Sequence, residues 1–272
     1  MEIDKISLLK NGYAISKIND QNFMSYLKDI KKELNSINTN IGDTFNGYST
    51  CVNDMISNDL LNKIETFVFD KINNNSIKKY FFPFKPKLID VEVSIASYNQ
   101  ERANNPIKAQ LWHRDYDDIF KQLKFFIPLH NINEENGKLS VASKHICKFN
   151  ESLIEIIDGE ENIRITDKTF RKNFNTNYIF DKDIELGDIL LADTNNCYHK
   201  GALIKKQNSV RYMITATLGG PGNSGNLQEN KLVNKKYRFD KLIITKILKN
   251  IRSRLDYNFK LFRNSNKKII LN

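Results

Sequence analysis

Downstream of Pro83 and Pro86 the sequence divides into short runs rich in β-branched and aromatic residues. Turn-forming sequences such as Asn104-Asn105-Pro106 and Glu135-Asn136-Gly137 separate these runs. No helical repeat alternates with them, so the pattern favours an antiparallel sandwich or barrel over a parallel α/β sheet. The predicted strands are Leu88–Tyr98, Ile107–Trp112, Leu123–Ile132, Leu139–Ser143, Ile184–Asp193 and Val210–Leu218.

Two amphipathic helices are predicted ahead of the strands. Asp20 is expected to cap the first helix, and the apolar residues of both recur at spacings of three and four. Residues 151–183 are interpreted as a long insertion between strands. The predicted fold class is therefore mainly β with flanking α-helices. The apolar stripes are Phe23, Leu27, Ile30, Leu34 and Ile37 in the first helix, and Met55, Leu60, Ile64, Phe67 and Ile72 in the second.

The charge is distributed unevenly along the 272 residues. The net charge is +10, from 42 Lys and Arg against 32 Asp and Glu. Residues 223–272 hold 13 basic and 3 acidic side chains, which leaves 29 of each in residues 1–222. This asymmetry predicts a neutral catalytic or binding domain over 1–222 and a basic extension over 223–272.

Within the basic extension, residues 239–262 have the pattern of a basic amphipathic helix. Its apolar residues share one helical face, whereas most of its lysines and arginines lie elsewhere. The simplest interpretation is a terminal helix packed on the core. The alternatives are docking on an anionic membrane surface, binding of an acidic carrier protein or phosphorylated substrate, or self-association. Nucleic-acid binding is not expected, because the extension lacks a recognised binding motif.

Targeting signals are not evident in the sequence. The N-terminal segment contains acidic residues and lacks a long apolar run, and no stretch of about 18 apolar residues occurs. The three cysteines, Cys51, Cys147 and Cys197, form no Cys-x-x-Cys pair. The expected location is therefore the cytoplasm, with peripheral membrane attachment through the basic helix as an alternative.

The candidate catalytic residues are two histidines and one aspartate. His113 and Asp115 form a His-x-Asp motif after a predicted strand, and His199 follows another strand 84 residues after Asp115. This set matches the facial triad that holds non-haem Fe(II) and leaves three positions open for substrate and oxygen. A His-x-Asp motif at a strand end can direct both side chains to one point, and a distant strand supplies the third ligand.

Arg211 is the candidate anchor for an anionic cosubstrate. It lies twelve residues after His199 in a predicted strand, where an inward-facing charge is costly unless an anion meets it. The distal carboxylate of 2-oxoglutarate would satisfy that requirement in a bidentate pair. Gln100 and Gln110 are weaker candidates for the end of the cosubstrate near the metal, and each is equally interpreted as an exposed strand residue, as are Trp112 and Lys124.

These motifs, in this order, resemble the phytanoyl-CoA dioxygenase-like family of Fe(II)/2-oxoglutarate oxygenases. The resemblance covers roughly residues 8–220. It departs at Ala142-Ser143-Lys144-His145, where the family usually has Pro-Gly-Ser-His. The matching segments are Lys10 to Ile15, similar to the family's first strand, Gln110 to Asp115, Leu123 to Leu129, Glu134 to Leu139, His145, Gly187 to Asp193, His199 and Arg211.

The resemblance implies a double-stranded β-helix of the jelly-roll, cupin-like type. It also implies Fe(II) bound by His113, Asp115 and His199, with 2-oxoglutarate anchored by Arg211. The implied reaction uses O2, releases succinate and CO2, and hydroxylates a C–H bond of a small biosynthetic metabolite. Related halogenases replace the carboxylate ligand, so Asp115 favours hydroxylation. The alternative is a catalytically silent β-helix protein that binds a small ligand or another metal.

Overall fold

The computed structural model describes residues 5–36, 49–72, 74–100, 105–115, 122–149 and 164–220. The helices are α1 (Lys5–Asn11), α2 (Gln21–Ser36), α3 (Asn58–Ile72), α4 (Asn75–Phe81), α5 (Lys144–Phe149) and α6 (Asp167–Asn173). The strands are β1 (Tyr13–Lys17), β2 (Thr50–Cys51), β3 (Lys87–Ser97), β4 (Gln122–Pro128), β5 (Leu139–Ala142), β6 (Ile179–Phe180), β7 (Asp188–Ala192), β8 (His199–Gly201) and β9 (Val210–Gly219).

Two antiparallel sheets form the body of the protein, which confirms the mainly β class with added helices. The larger sheet has six strands in the order β1-β7-β4-β9-β3-β2, and the smaller has three in the order β6-β5-β8. An isolated bridge between His113 and His199 adds a short extended segment beside β8. A second bridge, between Trp112 and Ile165, adds a further segment beyond it.

Alternate residues of the larger sheet pack into two different cores. In β4, Leu123, Phe125 and Ile127 belong to a core shared with α2 and α3. Phe126 lies between them in sequence and faces the opposite way, into a core that also includes Val141 of the smaller sheet. Successive side chains of a strand point to opposite faces, so the two sheets face each other across this second core.

The first N-terminal helix has the structure that its sequence predicts. Asp20 accepts a hydrogen bond from the backbone N–H of Phe23 (3.1 Å), as an N-cap residue does. The second helix, α3, begins only at Asn58, after the 3₁₀ turn Asn53–Met55. Met55 is 56% exposed, so its assignment to the buried stripe was wrong. Four residues of the first stripe are buried (Phe23, Leu27, Ile30, Leu34), as are Leu60, Ile64 and Phe67 of the second.

One predicted strand is absent from the described residues. The segment Ile107–Trp112 contains a 3₁₀ turn at Lys108–Gln110 and reaches extended pairing only at Trp112. The turn forms because the Gln110 side chain accepts a hydrogen bond from the Ile107 N–H (3.0 Å). This local bond competes with a sheet ladder.

The remaining expectations concern the insertion, the C-terminal extension and membrane-spanning helices. The predicted insertion over residues 151–183 contains α6 and β6 in its described portion. The basic helix over 239–262 and the domain boundary at residue 222 lie outside the described residues and stay predictions. Among the helices that the structure describes, none is long and apolar enough to span a membrane.

Candidate functional site

Backbone hydrogen bonds bring the three predicted ligands together. The N–H of His113 donates to the carbonyl of His199 (3.0 Å), and the N–H of His199 donates back (2.8 Å). Asp115 is held by its own N–H, which donates to the carbonyl of Thr194 just beyond β7 (2.9 Å). Residues two apart in an extended segment share a face, so Asp115 lies on the same side as His113.

The donor atoms of these side chains converge on one point. One ligand atom from each of His113, Asp115 and His199 lies within 4.8 Å of the other two. The Nε2 atoms of His113 and His199 lie 3.8 Å and 3.7 Å from the carboxylate oxygens. Each Nδ1 faces a carbonyl, that of Leu111 (2.9 Å) or Cys197 (3.3 Å). These contacts assign the ring proton to Nδ1 and leave the Nε2 lone pairs for a metal.

The protonation states also suit metal binding. Burial, and next the neighbouring His199, lowers the pKa of His113 to about 2. Burial likewise lowers the pKa of His199. Burial by itself would raise the pKa of Asp115, but Lys124 and the two histidines hold it below its ordinary value. Near neutral pH the site therefore presents two neutral imidazoles and one carboxylate, the forms in which these groups bind metals.

Lys124 lies inside the molecule beside Asp115. It shares the inner face of β4 with Phe126, and its side chain is only 23% exposed. Its Nζ lies 2.8 Å from Asp115 Oδ2, in an ion pair without good hydrogen-bond alignment. The sequence allowed an exposed strand residue here, and the structure replaces that interpretation with a cation that stabilises the ionised carboxylate.

Arg164 is a site residue that the sequence analysis missed. The bridge between Trp112 and Ile165 is closed by two backbone hydrogen bonds of 2.9 Å and 3.0 Å. Antiparallel pairing then places Arg164 directly opposite His113, on the same face. Its charge contributes to the lowered pKa values of His113 and His199. The only sequence signal was a cation in the segment interpreted as an insertion.

Arg211 is buried at the start of β9. Its Nη1 donates to the carbonyls of Gly137 and Ala202, the latter at 3.2 Å. Burial lowers the pKa of its guanidinium to about 10, so the group stays charged near neutral pH. Among the described residues, no carboxylate lies within 4.0 Å of this guanidinium. A buried guanidinium of this kind would be stabilised further by an anionic ligand.

A glycine makes room for the Arg211 guanidinium. Gly137 has a φ of +81°, a region that favours glycine. A Cβ at this position would lie 2.5 Å from the Ala202 carbonyl oxygen and 2.9 Å from Arg211 Nη1. The turn Glu135-Asn136-Gly137 therefore forms one wall of the arginine pocket.

A polar network on the outer side of the smaller sheet joins the segments that carry the two histidines. Asp167 Oδ1 accepts hydrogen bonds from Trp112 Nε1 (2.9 Å) and from Lys200 Nζ. Trp112 precedes His113, and Lys200 follows His199. One carboxylate thus spans both ligand-bearing segments from the face opposite the ligands, and it also pairs with Arg171 Nε at 2.8 Å.

The two weaker glutamine candidates lie elsewhere or have another role. Gln110 is buried, but its Oε1 is engaged by the Ile107 N–H. Gln100 is exposed and follows Tyr98, whose N–H pairs with the Ser209 carbonyl just before β9. Gln100 therefore lies at the surface just beyond β3, and no hydrogen bond among the described residues joins it to the three predicted ligands. The remaining histidines are His130, which accepts from the Tyr212 N–H (3.1 Å), and the exposed His145.

Neither protein-family models nor curated proteins match the chain. Solved structures similar to this chain include SnoN, a non-heme alpha-ketoglutarate-dependent epimerase from nogalamycin biosynthesis (13% identity, 80% of this chain, 81% of that chain, TM-score 0.49). They also include the carbocyclase SnoK (11%, 80% and 83%, 0.49) and HygX from Streptomyces hygroscopicus with nickel and 2-oxoglutarate (12%, 78% and 84%, 0.49). Identities and TM-scores this low assign no activity, so the function proposed below rests on the residues of the site.

Proposed function

We propose that this protein is an Fe(II)- and 2-oxoglutarate-dependent oxygenase that hydroxylates a small biosynthetic metabolite. The observation that carries the proposal is the pairing of two sites in one interior. Three candidate metal ligands converge on one point, and the buried guanidinium of Arg211, without a carboxylate partner among the described residues, lies beside Gly201, two residues after His199. Iron would occupy the first site, and the distal carboxylate of 2-oxoglutarate the second.

The donor set fits iron. Two imidazole nitrogens and one carboxylate oxygen, with open positions, are typical of non-haem Fe(II) oxygenases. Each histidine also has the carbonyl partner at Nδ1 that metal-binding imidazoles usually have. A Cys-rich set would instead favour structural zinc, and an all-oxygen set would favour calcium or magnesium.

The strand order supports a double-stranded β-helix. Counting from β3, the larger sheet takes β3, β9, β4 and β7, and the smaller sheet takes the His113 segment, β8, β5 and β6. Eight consecutive extended segments thus divide between two facing sheets, as in a jelly roll. The ligands lie on the second and seventh of these segments, and Arg211 lies on the eighth.

Each residue then has a separate role in the reaction. The Nδ1 contacts fix the two imidazole rings, Lys124 keeps Asp115 ionised, and Arg211 orients the cosubstrate. Bound iron and 2-oxoglutarate would supply the oxidation, in which one atom of O2 enters succinate as CO2 leaves and the other enters the substrate C–H bond. The buried surroundings of the histidines exclude bulk water from this step.

The test is succinate formation by protein reconstituted anaerobically with Fe(II) and 2-oxoglutarate and then exposed to oxygen. We expect the parent to release succinate slowly without added substrate and faster with the correct metabolite. The His113→Ala and Asp115→Ala variants should release none above background, whereas His145→Ala, a change at an exposed histidine, should match the parent. If the His113→Ala and Asp115→Ala variants release as much succinate as the parent, the iron assignment is refuted. A parent that binds Fe(II) and 2-oxoglutarate but releases no succinate would be a catalytically silent binding protein.

A further inference from the structure

A loop and helix at one end of the larger sheet present aromatic and cationic side chains to solvent. Phe82 is 74% exposed and Phe84 is 39% exposed. The neighbouring residues Lys78, Lys79 and Lys85 are exposed as well. We call this set the aromatic-lysine loop: Lys78, Lys79, Phe82, Phe84 and Lys85. This loop therefore combines exposed apolar surface with positive charge within eight positions of the chain.

Local hydrogen bonds hold these residues together. The N–H of Phe82 donates to the carbonyl of Lys78 (3.0 Å), and the N–H of Phe84 donates to the carbonyl of Phe81 (3.0 Å). The buried side of α4, formed by Ile77, Tyr80 and Phe81, leaves its two central lysines on the outside. The loop is therefore anchored to the end of α4, directly after the two exposed lysines of that helix.

The positive charge of the loop is uncompensated within the described part of the chain. No carboxylate there lies within 4.0 Å of Lys78, Lys79 or Lys85. The sequence from residue 71 to 89 contains five lysines and no acidic residue: Lys71, Lys78, Lys79, Lys85 and Lys87. This segment and residues 223–272 both carry net positive charge, so charge complementarity favours an anionic occupant over the C-terminal extension.

We propose that the aromatic-lysine loop docks on an anionic membrane surface. Aromatic side chains partition to the boundary between headgroups and acyl chains, and each nearby lysine adds about 1 kcal/mol of attraction to anionic lipid. One loop thus supplies both of the signals, apolar insertion and charge, that reversible membrane attachment needs. This inference does not depend on the proposed oxygenase activity.

The docked orientation brings the candidate site toward the membrane. Lys87, which follows the loop, pairs with Gly219, and Gly219 pairs with Gln122. The Oε1 of Gln122 accepts from Thr194 Oγ1 (2.7 Å), and Thr194 holds Asp115 through its carbonyl. The loop and Asp115 therefore lie at the same end of the sheet, and a substrate carried in the membrane would meet that end first.

Vesicle sedimentation of the full chain tests the proposal. Phosphatidylcholine vesicles with phosphatidylglycerol should bind the parent, and phosphatidylcholine alone should bind it weakly. We expect Phe82→Ser/Phe84→Ser to bind the anionic vesicles at least about tenfold more weakly. We expect Lys78→Glu/Lys79→Glu/Lys85→Glu to weaken binding about 100-fold, and added salt to act in the same direction.

Matched controls separate the loop from general surface effects. Lys168→Glu/Lys172→Glu changes two exposed lysines of α6, and Tyr178→Ser removes another exposed aromatic ring. Both controls should bind like the parent, and thermal denaturation should show that every variant is folded. The proposal is overturned if the parent ignores anionic vesicles, if both loop variants bind as the parent does, or if the controls lose as much. Unchanged binding in the loop variants would assign membrane affinity to residues 223–272 instead.

Discussion

Replacing Arg211 by methionine isolates the proposed cosubstrate contact. Methionine keeps most of the apolar volume of the arginine stem and removes the charge and the forked donors. Two charge-assisted hydrogen bonds to a carboxylate contribute about 1.5 kcal/mol or more each, so the loss is about 3 kcal/mol or more. At about 1.4 kcal/mol per factor of ten, 2-oxoglutarate should bind at least about 100-fold more weakly.

The structure also predicts a stability cost for this variant. Arg211 Nη1 donates to the carbonyls of Gly137 and Ala202, and methionine leaves both carbonyls without this donor. Each unsatisfied buried acceptor costs about 1–3 kcal/mol. Arg211→Lys is therefore the companion variant, since it keeps a cation but loses the planar fork of donors. Its affinity for 2-oxoglutarate should fall between those of the parent and Arg211→Met.

The assay is calorimetric titration of 2-oxoglutarate into Mn(II)-loaded protein without oxygen, after thermal denaturation has shown that each variant is folded. Lys172→Met serves as the control, because Lys172 is exposed on α6 and lies outside the site. It should bind 2-oxoglutarate as the parent does. Parent-like affinity in folded Arg211→Met would refute the assigned role.

Three further predictions follow from the same contacts. Because burial lowers the pKa of His113 from 6.5 to about 2, its contribution to the stability of metal-free protein is present above pH 6.5 and is lost as the pH falls toward 2. Urea titrations across this range should show that slope, and His113→Gln should flatten it. Asp167→Asn should lower Tm and weaken Co(II) affinity, because Asp167 joins Trp112 and Lys200. Solvent screens this half-exposed carboxylate, so the expected loss in the free energy of unfolding is about 1 kcal/mol. Gly137→Ala should lower the free energy of unfolding by about 2 kcal/mol or more in urea titration, because the φ of Gly137 is +81° and an alanine Cβ would clash there. For each of the three variants, a value equal to that of the parent would contradict the contact on which the prediction rests.

The sequence predicted the long strands well because their residues alternate or are apolar throughout. β3 and β9 agree with prediction to within one residue at each end. β8 was not predicted as a strand, because three residues carry too little pattern to be recognised. The sequence also could not say which face of β4 is inner, since both faces are buried.

The sequence predicted the part of the candidate site in which the spacing of residues along the chain fixes the direction of their side chains. His-x-Asp places two ligands on one face, and the structure brings His199 to them through its backbone bridge. The contributions of Lys124 and Arg164 depend on strand pairings between distant segments, which composition and periodicity do not encode. Gln110 was mispredicted for a local reason. Its side chain accepts a hydrogen bond within a 3₁₀ turn, whereas in the predicted strand it would have been available to the site.

The most direct test of the central claim is whether 2-oxoglutarate binding requires the metal. If iron and Arg211 hold opposite ends of one 2-oxoglutarate molecule, metal-loaded parent should bind 2-oxoglutarate far more tightly than metal-free parent. Glutarate, which has both carboxylates but no 2-oxo group, should gain much less from the metal, and Asp115→Ala should abolish the difference. Equal affinity for 2-oxoglutarate with and without a divalent metal would contradict the account.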